Sequence, residues 1–251
     1  MRQAERRQMK VAIVIPARYG SSRFPGKPLV KIAGQELIVR VAKRCEQALD
    51  PRYIYVATDD ERIESVVKKN GFNVVLTSPD ALTGTDRVAE AASQIDAEVI
   101  INVQGDEPLV NPADIKQAIL AKQQFPDSVV NFYCDVGDDE DPDNVNLPKV
   151  VVNENEYLLY MSRAAVPSAK ESSRKLRARK QVCIYAFNQS ELRAFRDFGR
   201  KSVLESSEDI EILRFFELGI AIKMMRAQGM TIAVDVPDDV RKVERALTSM
   251  R

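Results

Sequence analysis

Histidine is missing from this 251-residue chain. That absence removes Ser-His-Asp and Cys-His catalysis, HExxH zinc sites and every histidine general base. Cysteine is scarce. Cys45, Cys134 and Cys183 stand far apart, odd in number and outside any CxxC pair, as suits reduced, buried thiols in a cytoplasmic protein. A chain of this length buries roughly 70–75% of its unfolded surface and needs no disulfides. Net charge is lacking too: 37 Lys+Arg balance 37 Asp+Glu. No overall affinity for nucleic acid follows, although a local basic site stays open. No apolar run reaches the about 20 residues of a membrane span, and no apolar segment of signal-peptide length follows the opening MRQAERRQ. Repeats and low-complexity tracts are absent. Carboxylates, lysine, arginine, backbone amides and a metal held by oxygen remain to do any chemistry.

What is present is an alternation. VAIVIP (11–16) is an apolar run of the kind buried on both faces of a sheet. Residues 34–49 carry apolar side chains at helical spacing, and Pro51 stops them. YIYVA (53–57) is a second strand; Thr58-Asp59-Asp60 then caps the helix ERIESVVKK, which ends at Gly71. A strand over 73–76, a helix over 86–95, a strand over 98–103 and a helix from Asn111 to about Gln124 follow. Four such repeats imply parallel βαβ units in an α/β fold, with ligands beyond the carboxyl ends of the strands. The pattern changes after Asp127. KVVVN and EYLLY form a hairpin, AKESSRKLRARK (169–180) is strongly basic, and QVCIYAF (181–187) is a strand. Helices over 189–198 and 207–218, strands over 221–225 and 231–234, and a helix from Pro237 complete the chain. The expected organisation is a single domain over 9–251, an inserted lobe over 130–200 carrying dimer contacts, and a flexible extension over 1–8.

The basic loop, Thr58-Asp59-Asp60 and QGDEP all follow carboxyl ends of strands. VIPARYGSSRFPGKPL combines Gly20, Ser21 and Ser22, which let backbone amides turn outward, with the charges of Arg18, Arg23 and Lys27. It suits a polyphosphate. It is not a Walker motif: five residues separate Gly20 from Gly26, and Pro28 follows the lysine. A solvated basic turn has the same composition; the place after the first strand favours phosphate. In QGDEP (104–108), Asp106 stands where a carboxylate holds Mg²⁺ against phosphates, and Asp235 in VDVP offers a second ligand. Alternatively, Asp106 caps a turn and Asp235 the last helix. TSPDALTGTDR (77–87) is by composition a loop and a helix cap.

In combination and order, PARYGSSRFPGKPL, YVATDDERI, TSPDALTGTDR, INVQGDEPLV, LLYMSRAAVP, IYAF and VDVPDD resemble the CMP-Kdo synthetases, the 3-deoxy-manno-octulosonate cytidylyltransferases of lipopolysaccharide synthesis. The resemblance spans about Val11 to Leu247. It implies a glycosyltransferase-A-like, mostly parallel sheet flanked by helices, a homodimer, no nucleic-acid or membrane partner, and Mg²⁺-dependent transfer of CMP from CTP to a 3-deoxy-2-keto sugar acid. Position by position it places Arg18, Ser21 and Lys27 on the triphosphate and Ala17, Thr77, Gly84 and Asp86 on cytidine. It places Asp106 and Asp235 on the metal, with Arg18, Lys27 and Asp106 as the catalytic set. It gives Gln104, Gln181, Tyr185, Glu211 and Arg163 to the sugar acid, the guanidinium of Arg163 pairing with its carboxylate. The chain departs from the family pattern at Ala81 and Gln181, where histidines are usual, at Cys183 for a glycine, and at Ile212 for a glutamine. The departures gather in the sugar half. The acceptor is therefore expected to be Kdo or a Kdo-like acid, with 8-amino-Kdo, a phosphonate-like acid, or a catalytically inactive nucleotide binder as alternatives.

Overall fold

The computed structural model describes residues 9–20, 24–137, 140–168, 170, 178–229 and 232–249. The extension expected over 1–8 lies outside them, as do residue 169 and residues 171–177 of the basic run. Six of the seven residues of β1 (Val11–Ala17) are buried, because a run without a polar face has to be covered on both sides. A 3-10 turn, Lys27–Leu29, and a small hairpin, β2 (Lys31–Ile32) with β3 (Gln35–Glu36), lead into α1 (Leu37–Glu46). Then come β4 (Ile54–Thr58), α2 (Glu61–Lys69), β5 (Asn73–Leu76), α3 (Gly84–Ala92), β6 (Val99–Val103) and α4 (Pro112–Gln124). The expected caps form: the side chains of Asp60 and Asn111 accept from the backbone N–H of Arg62 and Ala113, opening α2 and α4.

The second half contains β7 (Val129–Asp135), β8 (Lys149–Val152), β9 (Leu158–Ser162), β10 (Arg179–Asn188), α5 (Gln189–Asp197), α6 (Val203–Glu208), α7 (Leu213–Glu217), β11 (Ile222–Arg226) and α8 (Pro237–Ser249). The main sheet runs β11-β7-β10-β6-β1-β4-β5. β1, β4, β5 and β6 are parallel, and β7 and β11 run with them; β10 is antiparallel to both its neighbours. One face packs against α1, α2, α4 and α8 through Ile38, Ile63, Ile115 and Val243, and the other against α3, α5 and α7 through Val88, Leu192 and Phe215.

Within the stretch 130–200, β7 and β10 belong to the main path of the sheet, and the β8–β9 hairpin branches from it through β10. Two expectations change. The helix expected over 207–218 divides into α6 and α7 at Asp209, whose φ of 51° lies in the left-handed region that Asp tolerates better than most residues. The strand expected over 231–234 joins no ladder among the described residues; Val234 N donates instead to Asp106 O at 2.9 Å.

Candidate active site

The polar loops gather at the carboxyl ends of β1, β4, β5 and β6. The first loop folds back on itself, with Gly26 N donating to Tyr19 O at 2.9 Å. Gly26 has φ 71°, which a side chain would strain, and it delivers Lys27 to the start of its short turn. Pro28 follows at once, so no helix opens on the lysine. Gly105 lets the next loop lie against β1: a Cβ there would sit 2.6 Å from Pro16 O. That approach sets Asp106 beside the lysine. Lys27 Nζ lies 2.7 Å from Asp106 Oδ2 and 3.9 Å from Asp235 Oδ1. The bond from Val234 N to Asp106 O holds the Asp235 segment in place.

From the first turn of α8, Asp239 reaches back to the segment before the helix, its Oδ2 accepting from Asp235 N at 3.0 Å and Val236 N at 3.1 Å. Lys27, Asp106 and Asp235 form one cluster, as the sequence reading requires. Among the described residues no three His, Cys, Asp or Glu side chains gather as a metal site. The donor set is two carboxylates, which suits a hard cation completing its shell with phosphate oxygens. Ser21 lies outside the described residues, and Arg18 is exposed.

The residues assigned to the base are mostly engaged with protein. Ala17 is buried at the end of β1. Thr77 Oγ1 accepts from Arg87 Nη1 at 2.5 Å. Asp86 accepts from Thr83 Oγ1 and, through both oxygens, from Arg214 at 2.7 and 3.0 Å. Gly84 marks a crossing: a Cβ built there would lie 3.3 Å from Gln104 Oε1 and 3.4 Å from Glu211 Oε1. Glu211 accepts from Gly84 N at 3.1 Å, Thr85 N at 2.7 Å and Thr85 Oγ1 at 2.6 Å. Burial pushes its carboxyl above the usual range, while the Thr85 and Gly84 donors oppose the shift. Gln104, Gly84 and Glu211 thus meet where the cytidine and sugar-acid assignments meet.

Gln181 and Tyr185 also come together, Gln181 Nε2 donating to the Tyr185 hydroxyl at 3.1 Å. Burial raises the Tyr185 hydroxyl and the Cys183 thiol well above their ordinary values, and nearby carboxylates, Glu107 and Glu211 for both and Asp106 for Cys183, add to the rise. The thiol stays protonated and is no nucleophile.

Two further residues of the sugar half are held by the protein itself. Arg163 donates from Nε to Glu208 O at 2.5 Å, from Nη1 to Val145 O at 2.8 Å and from Nη2 to Asp209 O at 2.8 Å. Those three carbonyls hold its fork, so it ties the β8–β9 hairpin to the α6–α7 turn, with one hydrogen left on each Nη. Ile212 is 1% exposed and belongs to the apolar core on the α3 side of the sheet; its departure from the family pattern is a matter of packing.

Sequence reasoning missed three groups. Arg214, fully buried, joins Asp86 to Glu205, with both Glu205 contacts at 2.7 Å. Asn131 and Asn102 flank Tyr185 on the neighbouring strands and are fully buried. The signal was present in each case: a single polar residue inside an apolar run, in ILRFF, VVNFYC and VIINV.

Carboxylates and an ammonium at the carboxyl end of a mostly parallel α/β sheet suit a nucleotide's phosphates with a hard cation. Solved structures agree on the fold: a putative glucose-1-phosphate thymidylyltransferase from Bacillus anthracis aligns with TM-score 0.69 at 11% identity, covering 94% of both chains. A CMP:2-keto-3-deoxy-manno-octonic acid synthetase complexed with CTP aligns with TM-score 0.88 at 35% identity, over 96% of this chain and all of that one. The cytidylyltransferase family model matches residues 12–224. An 8-amino-3,8-dideoxy-manno-octulosonate cytidylyltransferase from Shewanella oneidensis is 40% identical over 246 residues, 95% of this chain and 99% of its own length. The chain belongs to the cytidylyltransferase family and is a nucleotidyltransferase of the CMP-Kdo synthetase type. Among the described residues no helix is long and apolar enough to cross a membrane.

Proposed function

We propose that this protein transfers CMP from CTP to 8-amino-3,8-dideoxy-manno-octulosonate, releasing pyrophosphate. The observation that carries the reaction class is the Lys27–Asp106–Asp235 cluster at the strand ends. The 8-amino acceptor, in preference to Kdo itself, is supported by relatives of that name matching nearly end to end and by the change at position 181 in the sugar half.

In this reading the acceptor's anomeric oxygen attacks the α-phosphorus in line; a C–O–P bond forms as the Pα–O–Pβ bond breaks. Lys27, with Arg18, neutralises charge growing on the departing pyrophosphate. Asp106 and Asp235 would hold a Mg²⁺ ion, which supplies Lewis-acid stabilisation of the phosphate oxygens when bound. Gly84, in contact range of Gln104 and Glu211, sets the base loop against the acceptor wall, so that catalysis is largely positioning. Glu211, by holding the amides that open α3, fixes the same junction. No covalent intermediate is needed, in keeping with the protonated Cys183.

Pyrophosphate release from CTP, with and without Mg²⁺ and across a panel of acids, tests the proposal. The 8-amino acid should give the highest kcat/KM, and only with a divalent ion. Equal or faster turnover of the 8-hydroxy acid would overturn the choice of acceptor. CTP binding without release of pyrophosphate from any acid would support an inactive nucleotide-binding relative.

A further inference from the structure

This inference rests on the 8-amino reading of the acceptor. The ladder between β10 and β7 shifts register between Val182 and Tyr185, as strands often do beside active sites. Asn131 fills the interruption. Its Nδ2 donates to Val182 O at 3.1 Å and to Ile184 O at 2.8 Å. Both amide hydrogens are used, and the amide has one workable orientation, because the reverse would press its oxygen against two carbonyl oxygens. Asn131 Oδ1 can then only accept, and it accepts from Gln181 Nε2 at 3.1 Å. The other hydrogen of Gln181 Nε2 goes to the Tyr185 hydroxyl, also at 3.1 Å. Turning the Gln181 amide round would set oxygen against oxygen, so its orientation is fixed in turn. Its remaining group is the carbonyl Oε1, which no donor among the described residues reaches, and Gln181 is only partly buried.

We infer that Asn131 and Gln181 act together as the acceptor selector, Gln181 presenting a hydrogen-bond acceptor alone and so favouring an acid that carries a terminal ammonium over one that carries a hydroxyl. An ammonium has three donors and no lone pair; a carbonyl oxygen meets it through a charge-assisted bond. A hydroxyl gains a weaker, neutral bond and leaves its own lone pairs without a donor. An imidazole at this position can offer an N–H, which a hydroxyl accepts and an ammonium cannot. The surroundings point the same way: the negative charges of Glu211 and Glu107 raise the Tyr185 hydroxyl further and favour a cationic group beside it. Gln181 touches the acceptor in this account, and Asn131 is a positioning residue.

The test is the ratio of kcat/KM for the 8-amino acid to that for the matched 8-hydroxy acid, followed by pyrophosphate release at saturating CTP and Mg²⁺. Gln181→His and Gln181→Leu are each expected to lower the ratio about tenfold or more, chiefly through the KM of the amino acid. Asn131→Leu should lower the same ratio, whereas a purely structural role would slow both acids equally. If Asn131→Leu does not fold, the partly exposed Gln181 variants decide alone. Gln181 variants that keep the wild-type ratio overturn the selector and leave the 8-amino reading standing. A wild-type enzyme that prefers the 8-hydroxy acid overturns both.

Discussion

The cluster at the phosphate end stays open, with 18%, 28% and 44% of the Lys27, Asp106 and Asp235 side chains exposed, while the network behind the base loop is closed, with Arg214 and Glu205 at 0% and 1%. The open cluster is free to exchange partners: Lys27 can leave its carboxylates for phosphate oxygens, at little cost in a solvated setting. Charges in the closed network cannot exchange. Asp86 and Glu205 are satisfied by one guanidinium from α7, and Glu211, two residues before that helix, caps α3. One region handles substrate charge, and the other fixes the segment 203–217 against the helix that opens the base loop.

Removing Arg214 should break this contrast most severely. Arg214→Met strands two carboxylates with no partner of equal quality, and losing one member of a buried ion cluster costs about 3–5 kcal/mol. A fall in Tm of roughly 10 °C is expected for a chain of this size, read by thermal unfolding. The stacking of the Arg214 guanidinium on the Phe195 ring, at 3.7 Å, is lost as well. An unchanged Tm would show that the network is ornamental. Replacing all three charged members by neutral residues of similar volume should recover much of the loss, because no charge is then left buried.

Next in size is Asp106→Asn, which acts on the open cluster. Turnover should fall by about a hundred- to a thousandfold, as when a group that stabilises transition-state charge is removed. The Tm should hardly move, since Lys27 and Asp106 both reach solvent. Near-normal pyrophosphate release would remove Asp106 from the reaction; a large loss of stability would mean the two regions do not differ as described.

This contrast also explains what could be read in advance. The nucleotide half is built from local signals: an apolar run, a glycine-rich loop, a cap, a helix, in that order. The strand over 73–76 and the caps Asp60 and Asn111 were legible, because each follows from a local run and its adjoining loop, whereas the meeting of Lys27 with both aspartates joins distant loops and was implied by the family resemblance. The acceptor wall and the support behind the base loop are assembled from contacts distant in sequence. Asn131 and Gln181 are 50 residues apart and Arg214 and Asp86 are 128 apart, and no periodicity encodes either pair. The arginine at position 163 shows the same limit. Its type suits a carboxylate, but only the fold reveals three backbone carbonyls already around it. Breaking of the 207–218 helix was hidden for a related reason, since the left-handed turn at Asp209 places the carbonyls that Arg163 binds.

The smallest expected effect concerns the tether between the β8–β9 hairpin and α6. Glu208 accepts from Arg163 N at 2.8 Å, Ser162 Oγ at 2.7 Å and the Tyr160 hydroxyl at 3.2 Å. Burial pushes its carboxyl up, but these donors, with the Arg163 charge, outweigh burial and hold it below the ordinary glutamate range. The folded state therefore binds the proton less readily than the unfolded chain does. The stability this gives is whole above the unfolded value, about pH 4.3, and is lost as pH falls through the lower folded value. Glu208→Gln keeps one acceptor oxygen and removes the charge, so at pH 7 it should cost about 1 kcal/mol. Below the folded value the gap between the two proteins should close. Stability measured by urea unfolding from pH 7 down to the acid limit gives the comparison. A constant difference at every pH would mean that the Glu208 charge contributes nothing and that the hairpin is held by the Arg163 fork alone.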